Sequence, residues 1–75
     1  MAIVRLHLTL IEMAGGTKEV TVNEQKPVSL TTILNRLGVP PEEVGIIVRN
    51  RKMDEIDCLI DKEDVVELFP MLSGG

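Results

Sequence analysis

The sequence contains neither tryptophan nor tyrosine, and Phe69 is its only phenylalanine. Proteins that bind single-stranded nucleic acid usually stack bases on aromatic side chains, so this class of protein is excluded. The eight basic residues are scattered along the chain and are outnumbered by twelve acidic ones, which gives a net charge of −4. A basic surface able to follow a phosphate backbone is therefore not predicted, and nucleic acid is not expected as a partner.

Cysteine is equally scarce, since Cys58 is the only one. A single thiol cannot form an internal disulfide, which excludes a disulfide-stabilised miniprotein and is typical of a reducing compartment. Apolar runs extend over only a few residues, and the N-terminal segment lacks the basic and apolar regions of an export signal. We therefore expect a cytoplasmic protein with no role in a membrane.

The length of the chain allows one hydrophobic core. With 75 residues, 44% hydrophobic and 27% charged, it is predicted to fold as a single domain over residues 1–75. A domain of this size buries only about 60% of the surface of its unfolded chain, so a deep pocket for a large substrate would consume most of the core. Catalysis by this chain alone is not expected.

Two alternating runs open the chain. Apolar and polar residues alternate from Val4 to Leu10 and again at Val20–Val22, and Gly15–Gly16 lies between the two runs. Period two is typical of half-buried strands, and paired glycines favour a turn with positive φ. The pattern predicts a β-hairpin.

A helix and further strands follow the hairpin. Ser29 is predicted to cap a helix that ends at Gly38 and has one apolar face, formed by Leu30, Ile33, Leu34 and Leu37. Strands are predicted at Gly45–Arg49 and Val65–Phe69. A short return strand through Lys52–Met53 is expected between them, followed by a loop or single helical turn within Asp54–Asp64.

The order β-β-α-β-β predicts an α+β fold of the β-grasp (ubiquitin-like) type. In this arrangement one main helix packs across one face of a mixed sheet that contains the first and last strands. An open α+β sheet with another strand order is the alternative, because patterns define elements better than topology. The sheet residues expected to face the helix are Leu6, Leu8, Val20, Val22, Val48, Val66 and Leu68.

The sequence closes on Gly74 and Gly75, directly after the last predicted strand and Pro70. A frayed terminus is one interpretation of this pair. The functional interpretation is that glycine, which has no Cβ, can thread a narrow channel in another protein and present a free carboxylate there. Such a carboxylate can be adenylated and then attacked by a sulfur, oxygen or nitrogen nucleophile.

The closing run Asp64–Gly75, with its Phe-Pro and Ser-Gly-Gly elements, resembles the end of the MoaD/ThiS family of ubiquitin-like sulfur-carrier proteins. The opening strand, the helix around Leu30–Leu37 and the strand-turn Ile47–Asn50 are also similar to that family. The Phe-Pro…Ser-Gly-Gly form is closer to the molybdopterin branch, the small subunit of molybdopterin synthase, than to the thiamine branch.

The resemblance implies a carrier rather than an enzyme. Gly75 would be adenylated with ATP by an enzyme of the ubiquitin-activating type and converted to a thiocarboxylate, and no cofactor would be bound by the chain itself. Sulfur would then pass to a synthase such as the molybdopterin synthase large subunit, or to a tungsten or thiamine counterpart. Gly74 and Ser73 would form a flexible threading tail over about residues 70–75. The residues expected to contact partners are Phe69, Pro70, Met71 and Leu72.

Two departures from the family concern turns. The acidic turn Asp61–Asp64 lacks the glycine that the family commonly has there, and Asn50–Arg51 replaces an Asn-Gly pair. The second change is expected to disfavour a tight turn with positive φ at both central positions.

Other side chains that could carry chemistry have simpler interpretations. With one histidine, His7, and one cysteine, the chain has no zinc-ligand spacing. Cys58 has no base beside it in the sequence and is interpreted as a small hydrophobic residue. The acidic residues between Asp54 and Glu67 lack a calcium-loop pattern and are interpreted as solvated surface, so no metal site is predicted.

Two other functions remain open on the same residues. A ubiquitin-like modifier would join Gly75 to lysines of other proteins through the same acyl-adenylate. A non-catalytic interaction domain would carry the Gly-Gly end without using it.

Overall fold

The computed structural model describes residues 1–71. The predicted tail residues Leu72, Ser73, Gly74 and Gly75 lie outside the described residues. In chain order the elements are β1 (Ala2–Leu6), α1 (Thr9–Met13), β2 (Glu19–Val22), β3 (Val28–Ser29), α2 (Leu30–Leu37), a 3₁₀ turn (Pro41–Glu43), β4 (Val44–Arg49), β5 (Lys52–Asp54), β6 (Leu59–Ile60) and β7 (Val65–Pro70). None of the helices in this part of the chain has the length and apolarity needed to cross a bilayer.

Five strands form a mixed sheet in the order β2-β1-β7-β4-β5. The first and last strands, β1 and β7, are parallel neighbours at its centre, and the other strand pairs are antiparallel. β3 and β6 form a separate two-stranded ladder. The sheet with its single main helix is the β-grasp arrangement, so the predicted fold class is confirmed.

The core lies between α2 and one face of the sheet. Val4, Val66 and Leu68 from the two central strands are fully buried, as are Leu30 and Leu34 of α2. Ser29 caps α2 through its side-chain oxygen, which accepts a hydrogen bond from the Thr32 N–H, and Gly38 ends the helix in the left-handed conformation. Both predicted ends of the helix are confirmed.

The first strand is shorter than predicted. After Leu6 the chain turns at Leu8, which has φ 55° and is 67% exposed instead of facing α2. Residues Thr9–Met13 then form α1, which carries Leu10 into the core. Leu10 and Ala14 are both buried and four residues apart, so they share a helix face that the alternation of Leu6, Leu8 and Leu10 conceals.

β4 presents a different face from the one predicted. Its pairing with β7 shifts register between Val44 and Ile46, which is a β-bulge. As a result Ile47 is buried at 5% exposure, while Val48 is only half-buried. The residue predicted to face α2 therefore lies on the opposite face of the sheet, because one extra residue reverses the alternation.

The segment between β5 and β7 contains a strand where a loop or helical turn was expected. β6 pairs with β3, with Val28 opposite Ile60 and Ser29 opposite Leu59. The Leu30 N–H also donates to the Cys58 carbonyl at 3.0 Å. This ladder binds the crossover segment to the start of α2, and a strand of two residues is too short to leave a periodic pattern in the sequence.

Candidate functional site

β7 is the strand that leads to the predicted tail, and it is held on both sides. It pairs in parallel with β1 and antiparallel with β4. Val66 and Leu68 fill the core beneath it, and Pro70 is also buried. A central strand paired on both edges is a rigid base for whatever follows it in the chain.

The chain reaches the surface at Met71. Pro70 is still opposite Val44 in the β4–β7 register, and the Met71 N–H donates to the Glu43 carbonyl at 2.8 Å. The Met71 side chain is 57% exposed. The last described residue is thus fixed by its backbone while its side chain is free to contact another protein.

Phe69 lies on the face of the sheet opposite to α2, which we call the outer face. Its ring stacks on the ring of His7, with centroids 4.5 Å apart and an interplanar angle of 7°. The His7 Nε2 atom lies 3.0 Å from Glu67 Oε1. Phe69 is therefore half-buried against its own chain rather than fully exposed.

Further exposed apolar side chains lie on the outer face. Ile46, directly opposite Phe69 in the register, is 38% exposed, and Val65 is 37% exposed. Met53 on β5 is 76% exposed. Exposed apolar side chains grouped in this way are typical of protein contact surfaces. Sequence reasoning predicted Phe69 and Met71 here but missed Ile46 and Met53, because the β4 bulge decides which residues face outward.

The four residues predicted to contact partners occupy different situations. Phe69 is half-buried, Pro70 is buried and Met71 is exposed. Leu72 lies beyond the described residues, as do Ser73, Gly74 and Gly75. Pro70 therefore supports the end of β7, and the contact function of these residues stays a prediction.

The turn Asn50–Arg51 adopts positive φ at both central positions, with φ 54° and 70°, although this pair was expected to disfavour such a turn. The Asn50 side chain supplies the reason. Its amide donates to Asp64 Oδ1 at 2.7 Å, and its oxygen accepts from the Val65 N–H at 2.9 Å. These hydrogen bonds compensate for a backbone conformation that usually requires glycine.

Asp64 connects this turn with the acidic turn that precedes β7. Besides Asn50, its carboxylate accepts from the Arg49 guanidinium at 3.1 Å and from the Asp61 N–H at 2.7 Å. Burial opposes the charged form, but the hydrogen bonds from Asp61, Asn50 and Arg49 outweigh it and lower the pKa of Asp64. The carboxylate replaces the missing glycine as the element that holds the turn closed.

The remaining candidates show no catalytic arrangement. Burial and the nearby charge of Asp54 raise the pKa of the half-buried Cys58 thiol, which disfavours the thiolate form. No group of three or more histidine, cysteine, aspartate or glutamate side chains within residues 1–71 is placed to hold a metal ion.

No protein-family profile and no curated protein matches the chain. Solved structures do match, over nearly its whole length. SAMP1 from Haloferax volcanii is 21% identical with a TM-score of 0.67, and the match covers 99% of this chain and 98% of that one. A putative molybdopterin converting factor, subunit 1, from Pyrococcus furiosus is 16% identical with a TM-score of 0.60, covering 95% and 97%. These similarities show a shared ubiquitin-like β-grasp fold.

Proposed function

We propose that this chain is a sulfur carrier. Its Gly75 carboxylate is adenylated by a partner enzyme and converted to a thiocarboxylate, which donates sulfur in the biosynthesis of a cofactor. The pathway we favour is that of molybdopterin, and the tungsten-containing relative and thiamine are the alternatives. The closing residues resemble those of sulfur carriers, and one similar structure bears the name of a molybdopterin converting factor subunit. The chain acts as the substrate and donor, not as the enzyme.

The observation that carries the proposal is the course of β7. This strand is paired on both sides and runs through the centre of the sheet to Met71 at the surface, four residues before Gly75. A reactive end attached to a rigid strand can be delivered to another protein with its starting point fixed. This arrangement suits a domain whose reacting group is the carboxylate of Gly75 and not a side chain in a pocket.

The reaction requires little from the chain beyond access. A Gly75 carboxylate oxygen attacks the α-phosphorus of ATP, the bond to pyrophosphate breaks, and an acyl-adenylate forms. Hydrosulfide (HS⁻) delivered by the partner then attacks the carbonyl carbon, the bond to AMP breaks and AMP leaves, and loss of the S–H proton gives the thiocarboxylate. Gly74 and Ser73 carry small side chains or none, so they allow a narrow approach to the carboxylate.

Two partners follow from this chemistry. One is an adenylating enzyme of the ubiquitin-activating type, which uses ATP, and the other is a sulfur-accepting synthase such as the molybdopterin synthase large subunit. The designation "subunit 1" of the Pyrococcus furiosus protein is consistent with a second subunit. The net charge of −4 would speed the encounter with a partner that carries a basic surface. The proposed location of the reaction is the cytoplasm.

Deletion of Gly75 tests the proposal. The full chain and the shortened chain are incubated with the activating enzyme from the same cells, and ATP–pyrophosphate exchange is measured. We expect the deletion to abolish exchange and to leave the melting temperature unchanged, because the core that the structure describes is built from residues between Ala2 and Leu68. Exchange that persists without Gly75 would contradict the proposal. If exchange is lost as expected, Gly-Gly remnants on lysines of cellular proteins, sought after suitable digestion, would identify a modifier instead of a carrier.

A further inference from the structure

Gly45 lies in β4 beside the point where the chain leaves β7. A Cβ atom built on Gly45 would lie 2.8 Å from Met71 Cα and 2.9 Å from the Pro70 carbonyl oxygen. It would also lie 3.1 Å from the Met71 backbone nitrogen. Real Cβ atoms essentially never approach other heavy atoms below 3.0 Å, so any other residue here would displace its neighbour.

Glycine is needed at position 45 because there is no room for a Cβ atom, and not because of the backbone conformation. The φ angle of Gly45 is not positive, so an alanine would fit the local backbone. All three close atoms belong to the main chain of Pro70 and Met71, which cannot rotate away as the end of a side chain can. A side chain at position 45 would therefore push the backbone of β7 away from β4 at its end.

Two contacts together set the direction of the chain at Met71. The Met71 N–H donates to the Glu43 carbonyl at 2.8 Å. The backbone of Met71 also lies directly against Gly45, two residues after Glu43. The bulge between Val44 and Ile46 is what brings Gly45 to this position, because it interrupts the regular pairing of β4 with β7 at that point.

We infer that Gly45 is a positioning residue for the reactive tail: its missing side chain lets Met71 pack against β4 and so fixes where the tail begins. This inference rests on the proposed function. Residues 72–75 can span at most about 14 Å, so the position of Met71 limits where Gly75 can reach. A displacement of about 1 Å of a reacting group can reduce a rate about 100-fold.

Gly45→Ala is the direct test, and Gly38→Ala is its matched control. Gly38 has φ 79° and nothing within 4 Å of an added Cβ, so alanine there strains the end of α2 without touching β7. Two quantities are measured for each variant: kcat/KM for ATP-dependent adenylation by the activating enzyme, and the hydrogen-exchange rate of the Met71 amide. We expect Gly45→Ala to reduce kcat/KM about 100-fold and to accelerate exchange at Met71, while Gly38→Ala changes neither.

A second pair of variants changes Met71, the residue that packs against Gly45. Met71→Pro removes the N–H that donates to Glu43, whereas Met71→Ala keeps it and removes only the exposed side chain. We expect Met71→Pro to reduce kcat/KM several-fold more than Met71→Ala. These variants change a residue beyond the core, so they provide the test even if Gly45→Ala does not fold.

The outcomes distinguish failure of the positioning role of Gly45 from failure of the proposed sulfur-carrier function. If Gly45→Ala is adenylated like Gly38→Ala, or if exchange at Met71 is the same in both, Gly45 does not position the tail. If Gly45→Ala does not fold, and Met71→Pro and Met71→Ala have the same kcat/KM for adenylation, the inference is also overturned. Wild-type protein that the activating enzyme does not adenylate would refute the proposed function itself, and the positioning role would fall with it.

Discussion

Asp64, directly before β7, is the buried charged residue that holds the turn at the start of this strand. It is 7% exposed and accepts hydrogen bonds from Arg49, Asn50 and the Asp61 N–H. Because these interactions favour the carboxylate, they lower the pKa of Asp64 below the usual aspartate value of about 4. A hydrogen bond from Arg49 lowers the pKa of Asp54 in the same direction.

The sign of the resulting pH dependence follows from the direction of the shift. A carboxyl whose pKa is lower in the folded state stabilises the fold fully above its unfolded pKa of about 4, and this stabilisation is lost as the pH falls through the folded pKa. We expect the free energy of unfolding, measured with urea, to decrease as the pH falls from about 5 to about 2. Asp64→Asn should show a smaller decrease, together with lower stability at neutral pH. An equal decrease in the variant and the wild type would contradict this role of Asp64.

Single residues with a strong local signature were the easiest to predict. Ser29 and Gly38 mark the two ends of α2 as expected, since each acts through its own backbone or nearest neighbours. The contacts of Asp64 with Asn50 and the stacking of Phe69 on His7 were not predicted. They join residues far apart in sequence, and only the assembled sheet brings them together.

At the scale of elements, the β4–β5 hairpin contains strain that its sequence does not remove. Arg51 has φ 70° and, unlike Asn50, is not compensated by side-chain hydrogen bonds in the described part of the chain. Two-residue hairpin turns with positive φ at both positions strongly favour Asn-Gly. The second central position is therefore the place where glycine should improve the fold.

Arg51→Gly is expected to raise the free energy of unfolding by about 1 kcal/mol, because an L-residue pays about that amount in the left-handed region. Urea denaturation at neutral pH measures the difference. Asn50→Gly is the matched control: it relieves similar backbone strain but loses the hydrogen bonds to Asp64 and Val65, so it should lower stability. Equal stabilisation by both variants would show that the Asn50 side chain contributes nothing.

The errors at this scale have physical causes. The alternation of Leu6, Leu8 and Leu10 suggested a long strand, yet Leu10 reaches the core from α1. The bulge in β4 reversed the faces of Ile47 and Val48, and bulges leave no clear pattern in a single sequence. The longer elements α2 and β7 were predicted well because tertiary packing and local pattern agree there.

At the scale of the whole molecule, the arrangement of strands agrees with the prediction. One amphipathic helix and two apolar strands at opposite ends of the chain leave few ways to build a single core, and a central β1–β7 pair covered by α2 is the one observed. The position of Met71 at the end of β7 could not be predicted. There the chain lies against Gly45, beside the bulge in β4.

The central claim is that Gly75 carries sulfur, and the most direct measurement is the intact mass of the protein purified from its own cells. The measurement is made with and without a thiol-alkylating reagent, for the wild type and for Cys58→Ser, which removes the only other thiol. The account predicts a species in which sulfur replaces one oxygen and which is still alkylated at the C-terminus in Cys58→Ser. If every molecule carries the unmodified Gly75 acid, or if the chain occurs only as adducts with other proteins, the sulfur-carrier account is contradicted.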